Sequence, residues 1–312
     1  MNSFVKKISI FTTVLVLILV ILDLLSMVGV TQKYLAILTG SYDLLNNNGS
    51  DQIVPCIEQA RTQDGTTVLI TGDSVCSQMY RGLAEYNKDM TIIGANGGVT
   101  MAGQYIFIHE YLDNHPDATD VYLIVLPISL IRGYDTDLGY QYAVEPFAQT
   151  ETLSLLNNDT QDIISDVYGG FFIKGNICKL LDKSGINKKL YLNALADLHR
   201  GYEMSYRLEL ADIYILKAYE LCKEKNVRFH LYAGPVSESM RSFTEDIEND
   251  YRSSKLYGLF PDYFDYVLYY PDVEAADGTH FSGDYATQME YNRKINIILE
   301  GTELLGMLKT DY

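Results

Sequence analysis

The chain has 312 residues, with 24 Lys and Arg against 41 Asp and Glu, a net charge of −17. Such a surface repels phosphate backbones, which sets nucleic acid aside as a partner. The four cysteines, Cys56, Cys76, Cys178 and Cys222, are dispersed and form no C-x-x-C pair, so zinc is not expected. No phosphate-cradling loop and no dinucleotide fingerprint occurs, so no cofactor is expected either.

Residues 1–7 form a short tail that ends in Lys6-Lys7. From Ile8 to about Val30 the sequence is almost continuously apolar. About 20 helical residues rising roughly 1.5 Å each cross the hydrocarbon core of a bilayer. Two lysines precede the run and only Lys33 follows closely, which places the N-terminus in the cytoplasm and the remainder outside. A cleaved signal sequence is the competing reading. Its apolar region is usually about 7–15 residues long and ends in a small-x-small site. This run is longer and no convincing site follows it, so an uncleaved single-pass anchor over 8–30 is expected. Asp23 interrupts the run near its outer end. There its carboxylate reaches water and escapes the roughly 2.5–3.5 kcal/mol that a charge costs at the bilayer centre.

Residues 31–64, with Gly40, an Asn-Asn-Asn-Gly-Ser run and Pro55, read as a stalk with room for one short helix. A domain then runs over 65–312, long enough to bury a sizeable core. Thr67–Thr71 (TVLIT) is a short β-branched run that fits a buried parallel strand. A helix is expected over 75–86, a strand over 90–93, a helix over 101–112 and a strand over 121–126 (VYLIVL). The pattern loosens over about 131–206, which is expected to be an insertion holding its own helices, because so long a bare loop is uncommon. A helix around 208–225, a strand over 228–233, a fifth strand over 266–269 and a closing helix over 285–308 complete the alternation. The expected class is α/β, a parallel sheet with right-handed crossovers and helices on both faces.

Two segments carry chemistry. In TVLITGDS a buried strand ends in Gly72-Asp73-Ser74 and a helix begins at once. Ligands of open α/β sheets bind beyond the carboxyl ends of the strands. A serine at that turn also presents its backbone N–H at a helix start, where it can stabilise a developing oxyanion. Ser74 fits two roles, nucleophile and helix N-cap. The second segment is Asp277-Gly278-Thr279-His280-Phe281-Ser282, a loop before the last helix. Asp277 is spaced to accept from one imidazole nitrogen of His280 and leave the other to take a serine proton. An Asp-Gly turn with an exposed histidine is the alternative.

Together, a GDS turn near the start of an α/β domain and a DxxH loop before its last helix resemble the first and last signature blocks of the SGNH/GDSL hydrolase family. The resemblance covers about 65–312. It implies a flavodoxin-like, three-layer sandwich and a triad in which Ser74 is the nucleophile, His280 the base and Asp277 its orienter. It also implies an oxyanion hole that joins the Ser74 N–H to a backbone N–H from the loop after the second strand. Gly97 or Gly98 stands there, with the Asn96 amide beside it. The family's third block, Gly-x-Asn-Asp, is replaced by Leu126-Pro127-Ile128-Ser129-Leu130, and Ser129 stands near the place of the missing asparagine. Losing one oxyanion donor lowers rates by about 10²–10³, so Asn96 or Ser129 compensates or the activity differs from that of an ordinary esterase.

The departure in the third block, together with the anchor, is similar to extracytoplasmic SGNH-like proteins of the D-alanyl transfer and alginate-type O-acetyltransferase kinds. That likeness implies an acyl donor, a glycan acceptor and a multi-spanning membrane acyltransferase as partner. The leading expectation is an acyl-ester enzyme, esterase or O-acyltransferase, working on envelope or secreted glycans without metal or cofactor. Two alternatives stand beside it. One is a non-catalytic glycan-binding or scaffold module that keeps the fold; the other makes Cys76 the nucleophile.

Overall fold

The computed structural model describes residues 3–26, 50–80, 89–94, 100–133, 154–161, 208–275 and 279–280. The chain divides into two compact units, Met1–Asp51 with Val144–Glu203, and Gln52–Ala143 with Met204–Tyr312.

In the first unit, helix α1 (Ser3–Ser26) contains an 18-residue apolar window, Phe4–Ile21, of mean hydropathy 2.3, with none of it buried. It is long and apolar enough to cross a membrane. It starts before Ile8 and takes in Lys6 and Lys7, since lysine is a good helix former. The same unit holds residues 154–161, where Asn157 Oδ1 accepts the Thr160 N–H at 3.1 Å. They belong to the stretch expected as an insertion, most of which lies outside the described residues.

The second unit is built on a four-stranded, wholly parallel sheet. Its strands are β1 (Val68–Gly72), β2 (Met90–Gly94), β3 (Asp120–Val125) and β4 (Arg228–Ala233), in the order β2-β1-β3-β4. Every residue of β1 and β3 is buried, as continuous apolar runs covered on both faces require. Alternation along β1 sends Val68 and Ile70 to one face, where they pack with Val75, Met79 and Tyr80 of helix α3 (Ser74–Tyr80). Thr71 points to the other face, where its hydroxyl reaches Ile93 O at 3.1 Å and Gln104 Oε1 at 2.7 Å. Gln104 lies on α4 (Met101–Asn114), which packs against α6 (Glu209–Glu224). Helices therefore cover both faces of the sheet.

Local chemistry sets the element ends. Thr100 caps α4 by accepting the Gly103 N–H. Helix α6 closes in a Schellman motif, with Val227 N–H on Cys222 O (2.8 Å), Asn226 N–H on Lys223 O (3.1 Å), and Asn226 itself at φ 60°. Helix α2 (Ser50–Arg61) occupies the end of the stretch expected as a stalk. Cys56, Ile57 and Ala60 are buried on it, Gln59 Nε2 donates to Ile92 O, and Arg61 makes a bidentate pair with Glu110.

The expected fifth strand is not a member of the main sheet among the described residues. Tyr263–Tyr266 is a 3₁₀ turn, and β6 (Tyr269–Tyr270) pairs with β5 (Val236–Ser237) in a separate two-stranded sheet. The aromatic run reads as a strand by propensity, but packing decides otherwise. Tyr263 is buried and donates to Val125 O at 2.8 Å, while Tyr266 stands edge-on to Tyr232 at 4.7 Å. The closing helix expected over 285–308 lies outside the described residues.

At the opposite strand ends, the buried carboxylate of Asp120 accepts from Arg228 Nη2 at 2.7 Å and pairs with His230 Nε2 at 2.9 Å. Burial alone would raise its pKa, but the bonds from His230, Arg228 and Thr119 outweigh it and hold the carboxyl below its ordinary value. A folded-state value below the unfolded one adds stability above the ordinary aspartate range and loses it as pH falls through the lowered value. Asp120→Asn is therefore expected to lower the melting temperature at pH 7. Melting curves taken from pH 7 to pH 3 should show its deficit against wild type shrinking. A deficit that stays constant across that range would mean Asp120 contributes by packing and not by charge.

Candidate active site

The site grows from a turn with one residue between strand and helix. β1 ends at Gly72, α3 begins at Ser74, and Asp73 stands between them. Asp73 caps the helix: its Oδ1 accepts the N–H of Val75 at 3.1 Å and of Cys76 at 3.4 Å, and its backbone oxygen accepts Ser77 N–H. The capping role that a serine often fills thus falls to the residue before Ser74. The Ser74 hydroxyl is directed elsewhere, and its oxygen lies 2.6 Å from Nε2 of His280, 206 residues along the chain. Both residues are half-buried.

The other imidazole nitrogen, Nδ1, lies 3.2 Å from the Thr279 hydroxyl. With the proton on Nδ1, Nε2 carries the lone pair and accepts the Ser74 O–H, the polarity that general-base catalysis requires. Asp277, Asn96, Gly97 and Gly98 lie outside the described residues. The Ser74 N–H occupies the first helical position, where no helix carbonyl is in reach, and no described residue accepts from it.

Ser129 lies on the short helical turn α5 (Pro127–Leu130) after β3. It is buried, and its hydroxyl donates to Asp73 Oδ2 at 2.7 Å, so its proton is engaged there. Leu126 N–H donates to the same oxygen, also at 2.7 Å. Asp73 therefore holds four donors. Burial pushes its carboxyl up from the ordinary value and the four hydrogen bonds oppose that, with a net upward direction. Three of the four partners are backbone N–H groups, which can only donate, and that part of the shell fits the carboxylate. The half-buried guanidinium of Arg132, three residues beyond Ser129, lies within the field of that charge.

Cys76 is 1 % exposed, and burial together with the charge of Asp73 pushes its thiol well up. A thiol kept protonated and out of solvent is a poor nucleophile, which argues against the reading that puts catalysis there.

Two glycines let the turn form. Gly72 and Gly94 are register partners at the carboxyl ends of β1 and β2. A Cβ on Gly72 would lie 1.9 Å from Ile124 O, and one on Gly94 would lie 2.4 Å from Ser77 N. The first turn of α3 rests on these bare strand ends. Gly72 has no left-handed φ, and what it supplies is space.

Sequence reasoning gave Asp73 no role. Its capping half is legible, as an aspartate just before a helical run. Its link to Ser129 bridges 56 residues, and no local pattern marks it.

No family model, curated protein or solved structure matches the chain.

Proposed function

We propose that this chain is a membrane-anchored, extracytoplasmic acyl-ester enzyme of the SGNH/GDSL type. It acts on envelope or secreted glycans through Ser74, His280 and Asp277, without metal or cofactor. The observation that carries the reading is the 2.6 Å approach of Ser74 Oγ to His280 Nε2 at the carboxyl end of a central parallel strand. The strand order β2-β1-β3-β4 accords with a flavodoxin-like sheet. Helix α1, with lysines at its start, accords with an anchor whose N-terminus is cytoplasmic.

In this reading Ser74 Oγ attacks the acyl carbonyl as His280 Nε2 takes the hydroxyl proton. Asp277 holds Nδ1–H and steadies the imidazolium. The oxyanion lies on the Ser74 N–H and on a donor from Asn96, Gly97 or Gly98, since the Ser129 hydroxyl is engaged by Asp73. His280 returns its proton to the leaving alcohol. The acyl-serine then passes to water or to a sugar hydroxyl. The anchor fits delivery of the acyl group by a multi-spanning membrane partner.

The test is turnover of p-nitrophenyl acetate by the full-length chain in detergent micelles, with and without an oligosaccharide acceptor. Serine-dependent release that yields acylated sugar identifies a transferase, and release to water alone an esterase. No release and no labelling of Ser74 by a fluorophosphonate would overturn the reading in favour of a glycan-binding module.

A further inference from the structure

Asp73 stands beside the proposed nucleophile yet belongs neither to the triad nor to the oxyanion donors. It is 4 % exposed, and Ser129, its partner, is 5 % exposed. A helix cap needs one oxygen, and serine, threonine or asparagine supplies it as well as aspartate does. Capping therefore accounts for Oδ1 and leaves Oδ2 unexplained, although burying a second charged oxygen is unfavourable unless it is fully hydrogen-bonded. Oδ2 is so bonded, to Leu126 N–H and Ser129 O–H, both at 2.7 Å. One carboxylate thus ties the start of the helix that bears Ser74 to the segment that follows β3. Both oxygens take backbone N–H donors, so an asparagine, whichever way its amide faces, would turn an N–H toward a backbone N–H and break the set.

We propose that Asp73 and Ser129 act as one positioning pair. They lock the Ser74 turn onto the segment after β3, so that Ser74 Oγ faces His280 Nε2 before substrate arrives. The proposal rests on the serine-ester reading above. It assigns Ser129 a place behind the nucleophile and not in the oxyanion hole. Displacement of a reacting atom by about 1 Å costs on the order of 10²-fold in rate, so loosening this tie should slow chemistry more than it weakens binding.

The experiment measures the rate of fluorophosphonate labelling at Ser74, and kcat and KM for p-nitrophenyl acetate. It uses the full-length chain in detergent at temperatures well below unfolding. Ser129→Ala leaves the helix cap intact and should label about 10- to 10²-fold more slowly, with the loss in kcat and little change in KM. Ser129→Thr restores the hydroxyl and should recover most of the rate. The double variant Asp73→Asn/Ser129→Ala should be no slower than Asp73→Asn, because residues acting as a unit are not additive. If Asp73→Asn does not fold, the comparison of alanine with threonine at 129 carries the test. A folded Ser129→Ala protein that labels at the wild-type rate overturns the positioning pair alone. A wild-type protein that the probe leaves unlabelled overturns the serine-ester reading and the pair with it.

Discussion

Ser74→Ala and His280→Ala are each expected to reduce acyl-ester turnover by about 10³-fold or more while leaving the fold intact, since members of a serine triad act as a unit. The expectation of an intact fold has a structural basis. Asp73, not Ser74, caps α3, and the Ser74 hydroxyl bonds to His280. An alanine at 74 removes no helix-end bond and leaves only a half-buried imidazole that water can serve. Thermal melting of Ser74→Ala should therefore stay close to wild type, because substitutions away from caps and cores usually fall within about 0.5 kcal/mol. The two variants also separate in labelling. Ser74→Ala loses the covalent adduct altogether, whereas His280→Ala keeps the hydroxyl but loses the base, so it should label slowly. Normal turnover in either variant removes that residue from the site.

How much of this was legible before the structure depends on whether the signal is local. Buried parallel strands read as unbroken apolar runs, and VLITG and DVYLIV fall within a residue or so of where TVLIT and VYLIVL were expected. The helix at 209–224 and strand β4 were likewise visible from period and composition. A serine after a strand needs a distant base, which pairs Ser74 with His280 in the sequence, and the structure brings their side chains together. Helix α2 is legible only as one short helix within a stalk, because Pro55 lies in its interior and its first residue belongs to the Asn-Gly-Ser run. Two things are not legible. The tyrosine-rich segment before β6 obeys contacts with Val125 and Tyr232 and not its own propensity. Position along the chain puts Ser129 near the oxyanion, whereas the direction of its hydroxyl is set by a carboxylate 56 residues away.

The spatial demand at the strand ends yields the second large effect. Gly72→Ala should destabilise the protein by about 3 kcal/mol or more, at the upper end of the ~1–3 kcal/mol typical of overpacking. The obstacle is backbone: the new Cβ would sit 1.9 Å from Ile124 O and 2.6 Å from Cys76 Cβ. A rotamer change cannot relieve the first contact, so β1 must part from β3, and the contact with Cys76 presses α3 outward as well. Gly94→Ala meets Ser77 N at 2.4 Å and Ser77 Cα at 2.5 Å, and should behave alike. At roughly 2–4 °C per kcal/mol for a unit of this size, the melting temperature falls by about 6–12 °C. Gly258→Ala is the control: its Cβ meets nothing within 4 Å and the residue has no left-handed φ, so melting should hardly move. Lifting α3 would also draw Ser74 away from His280, because Ser74 begins the helix. Whatever fraction of Gly72→Ala stays folded at low temperature should therefore label more slowly than the Gly258→Ala control. Equal melting and equal labelling in the two variants would mean that α3 does not rest on the strand ends, and that the spacing of the Ser74 turn has another cause.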